Sequence, residues 1–171
     1  MKQSKIIIYT DGAAKGNPGK AGWGAVIMFH NDKLKVESVK LKVVEMGGST
    51  EHATNNQMEL TAPIEALKYV KGNMSKAGFD TGNIEIVSDS KYVILGITEW
   101  IFGWQKNNWR NAAKKPVLNR ELWEKLYELT QELKPKWTYV KGHNEDTHND
   151  RADLIATSFA EGEPVELRNA K

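Results

Sequence analysis

The chain has 171 residues, 40% of them hydrophobic and 27% charged, with a net charge of +2, the profile of a single soluble globular domain, 1–171. It contains no cysteine, which excludes a disulfide framework, thiolate catalysis and cysteine-ligated zinc. Its apolar runs are too short to span a bilayer. Met1-Lys2-Gln3-Ser4-Lys5 passes directly into a strand pattern, so no signal peptide is read and a cytoplasmic location is expected.

Lys5–Thr10 is a β-branched run without alternation, which predicts a central strand covered on both faces. Gly12–Gly19 is rich in turn residues and is expected to be a loop. Gly22–Phe29 predicts a second strand and His30–Lys33 a hairpin turn. The alternation from Leu34 to Val44 predicts a half-exposed antiparallel strand, irregular near Ser38. Gly47–Ala53 is expected to be a loop. Thr54, with Gln57 three residues on, has capping-box spacing and opens a helix whose apolar stripes are Leu60, Ile64 and Leu67 beside Met58, Ala62, Ala66 and Val70. Pro63 inside this helix cannot bond to the Glu59 carbonyl, so a bend or a freed carbonyl is expected there.

Gly72–Gly82 is predicted to be a connection and Ile84–Val87 a short buried strand. Helical stretches follow over Ser90–Thr98 and Glu99–Trp109. Asn119–Leu133 predicts the longest helix, striped by Leu122, Leu126, Leu129 and Leu133 and widened by Trp123 and Tyr127. Lys136–Val140 predicts the last strand, Thr147–Ala160 the last helix, and Glu161–Lys171 a loosely held tail. Hairpin-linked strands followed by alternating strands and helices imply an α/β fold with a mixed sheet.

Four carboxylates stand where packing does not call for them: Asp11 and Asp89 at strand ends, Glu59 at a helix start and Asp153 in the last helix. Singly, each has a plain alternative. Asp11-Gly12 suits a turn, Asp89 suits a helix cap, Glu59 suits the helix dipole, and Asp150 with Asp153 suits a solvated helix face. Converging on one spot they would repel one another, and a divalent cation of the magnesium type is the usual remedy. Ile101–Arg120 carries five basic residues (Lys106, Arg110, Lys114, Lys115 and Arg120) and no acid, which gives a local attraction for a polyanion. Trp100, Trp104 and Trp109 lie within or beside this stretch. Gly19-Lys20 is not a phosphate-binding loop, because positions 14 and 21 are both Ala.

Six stretches occur in one order: Tyr9-Thr10-Asp11-Gly12, Thr54–Leu60, Ser88–Val93, Trp100-Ile101 with Trp104, Lys114–Val117, and Val140–His143 leading to Asn149–Asp153. Order and spacing resemble type 1 ribonuclease H from about Lys5 to Ala160. The resemblance implies a five-stranded mixed sheet in the order 3-2-1-4-5 flanked by helices. It implies endonucleolytic hydrolysis of the RNA strand of RNA–DNA hybrids, leaving 5′-phosphate and 3′-hydroxyl ends. Asp11, Glu59, Asp89 and Asp153 match the metal-binding catalytic carboxylates, with Asp11 bridging two Mg2+ ions (Mn2+ a possible substitute). His143 matches a mobile histidine that assists proton transfer or product release, and Asp150 an auxiliary acid. Asn17, Thr54 and Asn55 match contacts to the hybrid, and Trp100, Trp104, Lys106, Trp109, Lys114 and Lys115 belong to a segment that grips the DNA strand. That segment is only moderately basic, so weaker and more salt-sensitive hybrid binding is expected. The loops Gly47–Ala53 and Gly72–Gly82 look longer than in compact bacterial members. A monomer without protein partners is expected. Two rivals remain at this stage: a related nuclease or integrase acting on DNA, and a non-catalytic nucleic-acid-binding module.

Overall fold

The computed structural model describes residues 4–31, 41–77, 83–142 and 146–168. Its elements are β1 (Ser4–Lys15), β2 (Gly19–Asn31), β3 (Leu41–Ala53), α1 (Asn55–Ala77), β4 (Ile84–Ser88), α2 (Lys91–Leu95), a π-helical turn (Gly96–Trp100), α3 (Ile101–Lys106), α4 (Arg120–Leu133), β5 (Lys136–Tyr139) and α5 (Thr147–Ala160). The sheet order is β3-β2-β1-β4-β5. β1, β2 and β3 pair antiparallel, and β1, β4 and β5 pair parallel. This is the mixed five-stranded sheet expected from the resemblance.

The central strand is covered on both faces. Ile6 and Ile8 join Ile27, Ile86, Leu60, Leu67, Trp123 and Leu126 in the larger core, formed with α1 and α4. Tyr9 packs on the other face against a cluster of Val26, Ala152 and Ile155 under α5. All seven residues of the two apolar stripes of α1 are buried. In α4, Trp123 is fully buried and central rather than peripheral, while Leu122 and Tyr127 are only partly buried. Its ring fills the space that any side chain at Gly96 would need, so the π-helical turn and α4 fit only with glycine there.

Several expected boundaries shift. β1 runs on to Lys15 and β2 begins at Gly19, so the glycine-rich loop shrinks to a turn at 16–18. Gly47–Ala53 is not a loop: it is the second half of β3, paired with β2 through Trp23↔Gly48 and Gly24↔Gly47. Glycine is a poor strand former, but Ile155 and Phe159 occupy the space above Gly47, and tertiary packing overrides propensity there. Positions 34–40 of the expected third strand, including the irregularity near Ser38, lie outside the described residues; among the described residues β2 and β3 shift register between Gly19 and Ala21.

α1 continues through Pro63 and past Gly72, which faces open space, to Ala77; positions 78–82 of the expected connection lie outside the described residues. The stretch up to Trp109 stops being helical after Lys106, because Asn108 and Trp109 take left-handed backbone angles (φ 54° and 57°).

The expectation of a loose tail does not hold for residues 163–168. Arg168 exchanges two hydrogen bonds with Glu45 of β3, one through each backbone polar group, and Val165 N–H donates to Ser158 Oγ. Val165 and Leu167 add apolar contact to the cluster beneath α5.

Candidate active site

Asp11 and Asp89 are neighbours because β1 and β4 are. The parallel register ends at Thr10↔Ser88, and each carboxylate follows on its own strand. The plain alternatives for both residues fail. Asp11 sits inside β1 opposite Gly24 rather than in a turn. The cap of α2 is Ser90, whose side chain accepts the Val93 N–H at 3.2 Å.

Glu59 arrives from α1. The helix start is fixed by the expected capping box: Thr54 Oγ1 accepts the Gln57 N–H at 3.1 Å, and Gln57 Oε1 accepts the Thr54 N–H at 2.9 Å. The first turn then lies against Gly12, where an added Cβ would meet the Glu59 nitrogen at 2.5 Å and the Met58 carbonyl carbon at 2.6 Å. Only glycine lets the helix approach closely enough to set Glu59 beside Asp11. Ligand oxygens of Asp11, Glu59 and Asp89 lie within 4.8 Å of one another.

Asp153 reaches the cluster from the opposite side of the sheet. α5 is capped by Asp146, which accepts from the His148 and Asn149 amides, and it lies on Gly22 and Gly24 with backbone against backbone. The Asp153 carboxyl comes near enough to Asp11 to help raise that group's pKa. Asp150 is exposed and lines a separate cavity of about 240 Å³ with Glu45, His148, Arg151 and Leu154. His143 lies outside the described residues. Gly142 sits against Asp89, with an added Cβ 3.0 Å from Asp89 Oδ2, so the chain leading to His143 passes beside the cluster.

The electrostatics match a cation site. Burial pushes the Asp11 carboxyl up to about 8; a hydrogen bond with Glu59 opposes that shift, and the Asp89 charge and the Asp153 carboxyl add to it. Glu59 is likewise raised well above the usual carboxylate range, by burial first and then by the Asp11 charge. Glu59 Oε2 is sealed from solvent and has no hydrogen-bond partner. A buried, unpaired carboxylate oxygen facing other carboxylates is strongly unfavourable in isolation, and a hard divalent cation with oxygen ligands satisfies it. The residues present therefore fit a magnesium-type ion.

Beside the cluster runs a cleft of about 490 Å³ lined by Asn17, Thr54, Asn56, Gln57, Tyr92, Trp104 and Asn119, among others. Asn17 Oδ1 accepts the Asn55 N–H at 3.0 Å, tying the β1–β2 turn to the start of α1. Of the aromatic residues expected here, Trp100 is 42% exposed and packs on Trp104 and Tyr92. Trp109 carries the Arg120 guanidinium over its ring at 5.0 Å. Lys106, Lys114 and Lys115 are exposed on the same stretch.

Sequence reading missed Tyr92, Gln57 and Asn119 as cleft residues. They form a relay in which Gln57 Nε2 donates to Asn119 Oδ1, and Asn119 Nδ2 and Trp123 Nε1 both donate to the Tyr92 hydroxyl. Their partners are 27 to 62 positions apart, so no local pattern announces them.

Residues 3–161 match the family model described as RNase H. The chain belongs to the ribonuclease H family. Among its relatives, the ribonuclease H of Thermosynechococcus vestitus is 45% identical over 94% of this chain and 92% of its own. That of Novosphingobium aromaticivorans is 44% identical over 91% and 96%. Among solved structures, LC9-RNase H1, a type 1 RNase H with the type 2 active-site motif, shares the fold with a TM-score of 0.76 at 21% identity, covering 99% of this chain and 77% of that one. LC11-RNase H1, solved in complex with RNA/DNA hybrid, gives a TM-score of 0.64 at 26% identity over 92% and 98%. This ribonuclease H is thus a metal-dependent endonucleolytic hydrolase, and the non-catalytic rival falls away.

Proposed function

We propose that the chain hydrolyses the RNA strand of RNA–DNA hybrids at the Asp11, Glu59, Asp89 and Asp153 cluster, with two Mg2+ ions, leaving 5′-phosphate and 3′-hydroxyl ends. The observation that carries this reading is the meeting of three carboxylates within 4.8 Å around a buried, unpaired Glu59 oxygen. LC11-RNase H1 was solved with RNA/DNA hybrid, which supports the same substrate here. The DNA-directed rival draws no support from the cleft, whose Thr54, Asn56, Gln57, Tyr92 and Trp104 belong to the stretches that carry the resemblance.

When bound, the ions would supply a water nucleophile at neutral pH and stabilise charge on the departing 3′-oxygen. The chain's own residues hold the parts in register. Asp11, central and buried, lies among the other carboxylates and would hold a cation together with them. Asp89 and Glu59 flank it from β4 and α1, and Asp153 closes the site from α5. His143 serves as the group that takes or relays a proton near pH 7, and Asp150 as an auxiliary acid. Asn17, Thr54 and Asn55 hold the hybrid near the cut. Trp100, Trp104, Lys106, Trp109, Lys114 and Lys115 hold the DNA strand by sugar contact and charge. The reading expects a monomer acting in the cytoplasm.

Product analysis tests the chemistry. A 5′-labelled RNA annealed to DNA should be cut with Mg2+, stop on adding EDTA, and leave fragments that ligate directly through 5′-phosphate and 3′-hydroxyl ends. Cutting that persists in EDTA, or fragments ending in a 2′,3′-cyclic phosphate, would show that the 2′-hydroxyl rather than metal-activated water attacks.

A further inference from the structure

We propose that Glu45, Arg151 and the C-terminal segment Glu163–Arg168 form a positioning clamp that sets Asp153 for metal binding. The inference rests on the metal site proposed above and assigns a role to residues outside it.

Glu45 is 1% exposed in the middle of β3, a position where a carboxylate is unfavourable unless fully bonded. Arg151 grips it with both prongs, Nε to Oε2 at 2.7 Å and Nη2 to Oε1 at 2.9 Å. The Arg168 N–H donates to the same Oε1 at 2.9 Å, and the Glu45 N–H donates to the Arg168 carbonyl at 2.9 Å. Arg151 Nη2 also donates to the Glu166 carbonyl at 2.9 Å. Three separated parts of the chain thus close on one guanidinium.

Arg151 stands two residues before Asp153, so the two side chains leave α5 about 200° apart, on opposite flanks. Turning the helix at Arg151 therefore swings Asp153 toward or away from Asp11. The rest of the α5 interface is apolar and non-directional: Ala152, Ile155 and Phe159 pack on Val26, Tyr9 and Gly47. At Gly22 and Gly24 the helix backbone lies directly on strand backbone. The guanidinium fork is the directional element that opposes such a turn, because a bidentate pair fixes angle as well as distance.

The test is Mn2+ binding by calorimetry without substrate, alongside the Mg2+ midpoint for hybrid cleavage, the KM for hybrid and the Tm. Arg151→Lys keeps the charge and loses the fork. It should weaken Mn2+ binding about 10-fold and raise the Mg2+ midpoint to match, as loss of a group orienting a ligand does, with KM unchanged. A chain ending at Gly162 keeps Arg151 and Glu45 but loses the strap, and should shift both readouts the same way by less. Leu129→Ala, in the core away from the site, should lower Tm and leave both readouts in place. Unchanged Mn2+ affinity in Arg151→Lys and in the shortened chain, or an equal shift in Leu129→Ala, would overturn the clamp while leaving the metal site standing. Wild-type protein that binds no Mn2+ would overturn both.

Discussion

The decisive residues are Asp11 and Glu59, whose carboxyls are both pushed up by burial first, Asp11 further by the Asp89 charge and Glu59 further by the Asp11 charge. Because the folded state keeps a proton on Asp11 up to about 8, the metal-free fold binds more protons than the unfolded chain. The stability that this proton contributes is fully present below the ordinary carboxylate range and is lost as pH rises through about 8. In EDTA, Tm should therefore fall between pH 5 and about 8, and Asp11→Asn should raise it by a few degrees near the upper end. A cation must displace the same proton, so Mn2+ binding should tighten as pH rises toward about 8 and release protons, which calorimetry in buffers of different ionisation enthalpy will read. Asp11→Asn or Asp89→Asn should abolish turnover by more than the roughly 10–100-fold that accompanies loss of a partner merely orienting a ligand, while hybrid binding persists. His143→Ala should slow turnover by about 10²-fold without abolishing it; a full rate would remove His143 from the reaction.

At the scale of elements, each carboxylate owes its place to a local device. Thr54 and Gln57 cap α1 reciprocally, and Thr54→Ala should lower stability by about 1 kcal/mol, read as a Tm drop of roughly 2–4 °C. This capping box was legible in the sequence because both partners lie within one turn. The limits of α5 were legible for the same reason, since Thr147–Ala160 carries its own periodicity. Gly47–Ala53 was not, because it is a strand only by virtue of β2 beside it and Phe159 above it. The end of the stretch leading to Trp109 was hidden too: it turns on left-handed angles at Asn108 and Trp109, a conformation that asparagine enters readily but tryptophan only under tertiary constraint. In the proposed function the exposed lysines near α3 act through charge alone. Replacing Lys114 and Lys115 by Ala should flatten the salt dependence of hybrid binding by a log–log slope of about 1–2, with the metal midpoint unmoved.

At the scale of the molecule, three carboxylates distant in sequence meet because β1 is central, β4 lies parallel beside it, and α1 starts on Gly12. The strand order and the identity of the acids could be reached from the ordered stretches along the chain. The hold exerted by Arg168 on Glu45 could not, since the two are 123 positions apart and neither lies in a motif. The Gln57–Asn119–Tyr92 relay escaped for the same reason. What sequence leaves out is thus the second layer, the contacts that hold recognised residues in place. The central claim is that this assembled cluster cuts RNA paired to DNA. The direct measurement is cleavage, in Mg2+, of one RNA–DNA hybrid labelled on each strand in turn, beside double-stranded DNA and double-stranded RNA of the same sequence. Cutting confined to the RNA strand of the hybrid is the predicted result; cutting of the DNA strand or of double-stranded DNA at a comparable rate would contradict it.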